Sequence, residues 1–250
     1  MRVIFCGYSR AGLECLYQLL SNYDVKPADI MVFTHDHPEN EEFVKHVKFN
    51  NISLSYENIN NSLDLVYELR SDFLLSIYYQ HIISVDILKC FDNKAMNLHP
   101  SLLPAYKGTK SSVWAILNNE AYTGISFHHI RSGIDTGEII LQKSMKIRNE
   151  DTAYSLYHKL ITLFSFSFCE AFDLLSAGYG GLEQVGSPSY FPRKLPFNGE
   201  LEIKAVCISD AKRFVRAMYF PPHKGAVFIL EDGSKVEVNS INELHEYMDF

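Results

Sequence analysis

The sequence is short of what several classes of protein are built from. Its five cysteines, Cys6, Cys15, Cys90, Cys169 and Cys207, are scattered, odd in number and never spaced as C-x-x-C. That pattern argues against a disulfide framework and against zinc, and predicts reduced thiols in a cytoplasmic protein with no metal. No uninterrupted apolar run approaches the roughly 20 residues of a membrane-spanning helix. The opening MRVIFCGYSR lacks the long apolar stretch and small-residue cleavage site of a secretory signal. Positive charge is in deficit, 23 Lys and Arg against 30 Asp and Glu, for a net charge of −7. A nucleic-acid backbone calls for a basic face. As a whole-chain sum the balance argues against a nucleic-acid partner, leaving a local basic patch open, and the missing apolar run argues against a membrane one. The first turn, Gly7-Tyr8-Ser9-Arg10-Ala11-Gly12, departs from G-x-G-x-x-G, which sets NAD aside. Repeats and low-complexity stretches are also missing.

What is present is an ordinary globular mixture, 47% hydrophobic and 21% charged in 250 residues. The length suits one large domain, alone or with a small appendage. Short apolar bursts at Arg2 to Cys6, Ile30 to Phe33, Ile52 to Leu54, Phe73 to Ile77 and Ala95 to Leu98 read as strands. Between them lie helical patterns after Gly12, over Glu41 to Lys48, and over Asn61 to Arg70 with Leu63, Val66, Tyr67 and Leu69 facing inward. This alternation predicts an α/β fold with a mainly parallel sheet flanked by helices. A helix over Ser111 to Leu117, capped by Ser111 or Thr109, precedes antiparallel strands at Thr123 to Ile130 and Gly137 to Met145. The longest helix is expected over Thr152 to Ala177. Ligands of such sheets bind beyond the carboxyl ends of the strands, which singles out the segments after Cys6, Ile77 and Leu98.

Two runs carry chemistry. In Asn97-Leu98-His99-Pro100-Ser101-Leu102-Leu103-Pro104-Ala105-Tyr106-Lys107-Gly108, residues 97 and 99 project to the same strand face. An amide N–H beside an imidazole suits an oxyanion donor and a general base, or equally a satisfied polar pair at a strand end. In His128-His129-Ile130-Arg131-Ser132-Gly133-Ile134-Asp135-Thr136-Gly137, Asp135 can hold a histidine tautomer or simply make a turn. His128 and His129 are adjacent, so they face opposite sides of a strand and do not read as a metal pair.

Taken together, N-x-H-x-S-L-L-P-x-x-x-G and I-D-T-G-x-I resemble the folate-dependent formyltransferase family, and the short sugar-nucleotide N-formyltransferases most of all. The resemblance implies a Rossmann-like formyltransferase fold over residues 1–181, 10-formyltetrahydrofolate as donor, and Asn97, His99 and Asp135 as the catalytic set. It places the donor's pterin beside Tyr78, Tyr79, Gln80, Ile82, Ile130 and Asp135; packing is the alternative for the two tyrosines. By the same resemblance the acceptor is a dTDP-linked 4-amino-4,6-dideoxyhexose, or a 3-amino sugar, destined for O-antigen or another surface glycan. Ser9, Arg10 and Lys107 are candidates for its diphosphate, and Tyr219 for stacking on its base. Arg10 reads equally as a solvated residue at a helix start.

Residues 182–250 depart from the methionyl-tRNA formyltransferases, which carry a β-barrel after the catalytic domain. A Pro- and aromatic-rich strap over Ser187 to Gly199 leads to a helix over Asp210 to Met218. A hairpin follows around Asp232-Gly233. Its Val227, Ile229, Val236 and Val238 need a cover, which is either a second copy, making a homodimer through that hairpin, or the parent domain. Formyltetrahydrofolate deformylase, using the same residues with water as acceptor, is the hydrolytic alternative.

Overall fold

A computed structural model describes residues 1–248 of the chain; the last two residues of the expected 182–250 element lie outside it. In chain order the strands are β1 (Val3–Gly7), β2 (Ile30–Phe33), β3 (Ser53–Ser55), β4 (Phe73–Ile77), β5 (Ala95–His99), β6 (Lys107–Gly108), β7 (Tyr122–His129), β8 (Ile139–Lys146), β9 (Tyr190–Phe191), β10 (Glu200–Glu202), β11 (Ala226–Ile229) and β12 (Lys235–Val238). The helices are α1 (Ser9–Asn22), α2 (Glu41–Phe49), α3 (Leu63–Leu69), α4 (Val85–Leu88), α5 (Ser111–Leu117), α6 (Ala153–Ser176), α7 (Ile208–Met218) and α8 (Ile241–Leu244). The chain divides into two compact units. One holds Met1–His99, Ile125–Lys143 and Ile161–Ser187; the other holds Pro100–Gly124, Ser144–Leu160 and the chain from Pro188.

The main sheet runs in the order β3-β2-β1-β4-β5-β7-β8. β1 pairs in parallel with β2 and β4, β4 with β5, and β2 with β3, whereas β5 pairs antiparallel with β7. Every residue of β1 and β4 is buried, as a parallel strand covered on both faces requires. On one face Ile4, Cys6, Phe33, Val66, Leu74 and Ile87 form a core. α6 carries Phe164, Phe168 and Phe172 at four-residue spacing, all buried. Their rings meet Phe127 and Phe73 of the sheet at 6.3 and 5.1 Å. All five cysteines are free, and burial pushes the Cys6 and Cys15 thiols up.

Three local expectations need correction. Within α3 only Val66 is fully buried; Leu63 and Tyr67 are exposed, because a helix of two turns offers the core one narrow stripe. α5 is not capped by Ser111 or Thr109: Lys110 is its N-cap in the left-handed conformation, and Ser111 Oγ donates instead to the Pro100 carbonyl. The hairpin is not a lone pair of strands. β10 adds to β11 in parallel while β12 pairs with it antiparallel, and Gly233 (φ 81°) makes the turn. Its covered side chains are Ala226, Phe228 and Val238, whereas Val227, Ile229 and Val236 are half-buried. Phe214 of α7 meets Phe228 edge-on at 5.6 Å. Of the four residues expected to need a cover, Val238 is buried within the same chain while Val227, Ile229 and Val236 stay half-buried, and a homodimer through the hairpin is not shown. The strap contributes β9, which pairs with β6.

Among the described residues, no helix is long and apolar enough to cross a membrane.

Candidate active site

The site grows out of the end of β5. Strand alternation sends Asn97 and His99 to one face, and the antiparallel register with β7 sets Asn97 opposite His128. His99 and His128 are both buried. A buried imidazole has to be hydrogen-bonded or it destabilises the fold, and each of these is partnered. His99 Nδ1 lies 3.3 Å from Asp135 Oδ2, and His128 Nε2 lies 3.6 Å from Asp135 Oδ1. His128 Nε2 is also 3.1 Å from Asn97 Nδ2, while its Nδ1 is 2.8 Å from the His129 carbonyl. A carbonyl can only accept, so Nδ1 of His128 carries a proton. With Nδ1 as the donor, Nε2 of His128 accepts from the Asn97 amide, which orients that amide and leaves its second N–H for another acceptor.

Asp135 comes from the loop between β7 and β8. It adopts the left-handed conformation (φ 51°), which aspartate tolerates better than most residues. Around it Ile130 N–H donates to Ala95 O, Thr136 Oγ1 donates to Ser132 O, and Arg131 Nε donates to Glu138 Oε2 at 2.9 Å. Burial works against the charge on Glu138, yet Arg131 holds its carboxyl below the usual range. Gly137 is required where it stands: a Cβ there would lie 1.7 Å from the His129 carbonyl oxygen.

Asn97, His99 and Asp135 are therefore brought together, and His128 joins them. Sequence spacing gave His128 a strand face but no partner, since the β5–β7 register is a long-range pairing. The segment after β4 has its own contacts. Tyr78 (φ 60°) sets its ring edge-on to Phe164 at 5.8 Å. Tyr79 stacks on His35 at 4.7 Å and accepts from Ile59 N–H; burial pushes its phenol up to about 12. Gln80 N–H donates to His35 Nε2, and the carbonyl of exposed Ile82 accepts from Asn60. Ile130 packs against the core. At the first turn Ser9 (φ 55°) donates its N–H to Asn40, and Arg10 pairs with Glu14 on its own helix. In the second unit Lys107 lies on β6, its N–H donating to Ser189 O. Tyr219 closes α7, with its carbonyl accepting from Tyr154 N–H.

A half-buried amide, two buried imidazoles and a carboxylate at the carboxyl end of a parallel strand suit acyl transfer to an amine. The sequence profile of the Formyl transferase family matches residues 27–169. The chain belongs to that family. Among its relatives, the GDP-perosamine N-formyltransferase of Brucella melitensis is 34% identical over 245 residues, covering 96% of this chain and 93% of that protein. The N-formyltransferase of Helicobacter canadensis, solved with folinic acid and dTDP-3-aminofucose, superposes with a TM-score of 0.71 at 26% identity, covering 88% of this chain and 81% of that one. A sugar N-formyltransferase from Shewanella shares the fold at TM-score 0.78 and 19% identity, over 95% of this chain and 96% of its own. Among the described residues, no group of three or more His, Cys, Asp or Glu is placed to hold a metal ion.

Proposed function

We propose that this formyltransferase acts on the amino group of a nucleotide-linked amino-deoxy sugar, with 10-formyltetrahydrofolate as donor. The observation that carries the reading is the set at the end of β5 in which half-buried Asn97 and Asp135 meet buried His99 and His128. Its donor groups fit the cofactor's chemistry. When bound, 10-formyltetrahydrofolate supplies a formyl carbon already activated on nitrogen. Asn97 offers its second N–H to the formyl oxygen, where negative charge builds as the amine attacks. His99 accepts the proton the amine loses and returns one to the nitrogen that leaves, so the new C–N bond replaces the old one without net proton change. Asp135 keeps the His99 ring oriented from the Nδ1 side and offsets the positive charge it carries in passing.

In this reading residues 1–181 perform catalysis. Tyr219, within residues 182–250, is the candidate for stacking on the base, and Arg10 and Lys107, within residues 1–181, are the candidates for the diphosphate. The acceptor's base is the open choice between the relatives: the Brucella protein is named for a GDP sugar, and the Helicobacter protein was solved with a dTDP sugar. The Brucella relative matches this chain over more of its length, which makes GDP-linked amino sugars the first to assay and dTDP-linked 4-amino-4,6-dideoxyhexoses the second.

The test is a panel of both against tRNA and water. Formylation of one nucleotide-linked amino sugar, inhibited by its free nucleoside diphosphate competitively with acceptor but not with donor, is expected. Release of formate with every acceptor ignored would make the protein a hydrolase, and efficient formylation of charged initiator tRNA would reject the sugar.

A further inference from the structure

Asp135 has to present its carboxylate between two imidazoles from a loop, in a backbone conformation that few residues hold unaided. The loop is gripped by one stretch of chain, residues 179–184. At its start the Tyr179 carbonyl lies 2.9 Å from His129 Nε2. In its middle Leu182 exchanges two backbone hydrogen bonds with Ile139, at 2.7 and 2.9 Å. At its end Gln184 Nε2 donates to the Asp135 carbonyl and to the Gly137 carbonyl, each at 2.8 Å.

We propose that Gln184 is the positioning residue for Asp135, the group that fixes the carboxylate against His99 and His128. A primary amide has two N–H groups, and both are used here, one on each side of Thr136. Because carbonyls only accept, the side-chain nitrogen has to face them. The oxygen Oε1 is left buried with no partner among the described residues. An amide placed only to satisfy itself would not bury an empty acceptor; this one is held by what its nitrogen does. The other two anchors reach only the feet of the loop, His129 and Ile139. Gln184 holds the crest on both sides of Thr136, and it does so through its side chain, so it can be replaced without breaking the backbone pairing at Leu182. Displacements of about 1 Å in a catalytic group cost up to about 100-fold in rate, and the Asp135 contacts, 3.3 Å to His99 and 3.6 Å to His128, already stand at the long end of hydrogen-bond reach.

The kinetic half of the test rests on the function proposed above; the structural half does not. Gln184→Glu keeps the length and shape but sets an oxygen against two carbonyl oxygens, and Gln184→Met keeps the length with no donor. Backbone ¹⁵N order parameters are measured for residues 132–137 in each protein without substrates, alongside kcat and both KM values. In each variant the loop is expected to fall from the rigid range near 0.85 to below about 0.6, with β5 and β7 unchanged. kcat should fall about 10- to 100-fold while the acceptor KM stays within about twofold. If Gln184→Glu fails to fold, Gln184→Met carries the same prediction. Unchanged order parameters over 132–137 overturn the proposal, as does a loosened loop with kcat within about twofold of the parent. Should the parent itself formylate no nucleotide sugar, the proposed function fails while the order parameters still decide the role of Gln184.

Discussion

The end of β5 and the three-stranded sheet β10–β12 bury very different residues. At the end of β5 and on the facing residues of β7 the covered side chains include His99, Ser126 and His128. In the small sheet and its helices they are Ala226, Phe228, Val238, Phe214 and Leu244. Apolar burial stabilises by roughly 25 cal/mol for each Å² removed from water, and asks nothing of geometry beyond close packing. Buried imidazoles contribute no such gain and have to be matched atom by atom. The first region is therefore organised by hydrogen-bond direction and the second by shape. Mutations in the two should fail in opposite ways: one loses rate and keeps the fold, the other loses the fold and keeps the rate.

The sharpest test of that contrast is His99→Asn, which should lower turnover by about 1,000-fold or more. Affinity for the folate donor should stay within a few fold. Combined with Asp135→Ala, the loss should be far less than the product of the single losses, because the two act as one unit. Next comes Phe228→Ala, which should reduce unfolding free energy by about 3–5 kcal/mol in denaturant titration, with kcat per folded molecule unchanged. Loss of turnover without loss of stability would erase the distinction. A smaller effect is expected of His128→Phe. Removing the acceptor that orients the Asn97 amide should cost about 10- to 100-fold in kcat, measured at saturating substrates. The smallest effect concerns Asp151 in the second unit. Burial opposes its charge, but Lys159, Arg148 N–H and Ser155 hold its carboxyl below the ordinary range. A carboxyl lowered on folding stabilises above its unfolded value and stops doing so as pH falls through the folded one. Asp151→Asn should thus flatten the loss of stability that the parent shows below about pH 4, as read by melting temperature against pH.

The sequence was legible where a local pattern carries the structure. β1, β2 and β4 announce themselves as apolar bursts, and α6 as the longest helical stretch, expected over Thr152 to Ala177. Asn97 and His99 share a face because strand alternation is a local rule, and Asp135 was found by the motif around it. His128 and Gln184 were not legible in their roles. The first depends on the β5–β7 register, the second on a chain segment 49 residues from Asp135 folding back onto its loop. β10 escaped for a related reason. Three residues, Glu200–Glu202, make a strand only because β11 offers them a parallel edge. The covered face of the hairpin was misjudged in the same way: Val227 and Ile229 are as apolar as Phe228, and only the packing against Phe214 decides which side is inside.

The central claim is that the hydrogen-bonded set at the end of β5 moves a formyl group onto a sugar amine. The most direct measurement is a single-turnover reaction, with enzyme in excess over 10-formyltetrahydrofolate labelled in the formyl carbon, and with a GDP- or dTDP-linked amino sugar present. The label is expected in the N-formyl sugar nucleotide with the parent enzyme, and to remain in the folate with His99→Asn. Label appearing in the sugar at the same rate with both proteins, or only in free formate with the parent, would contradict the account.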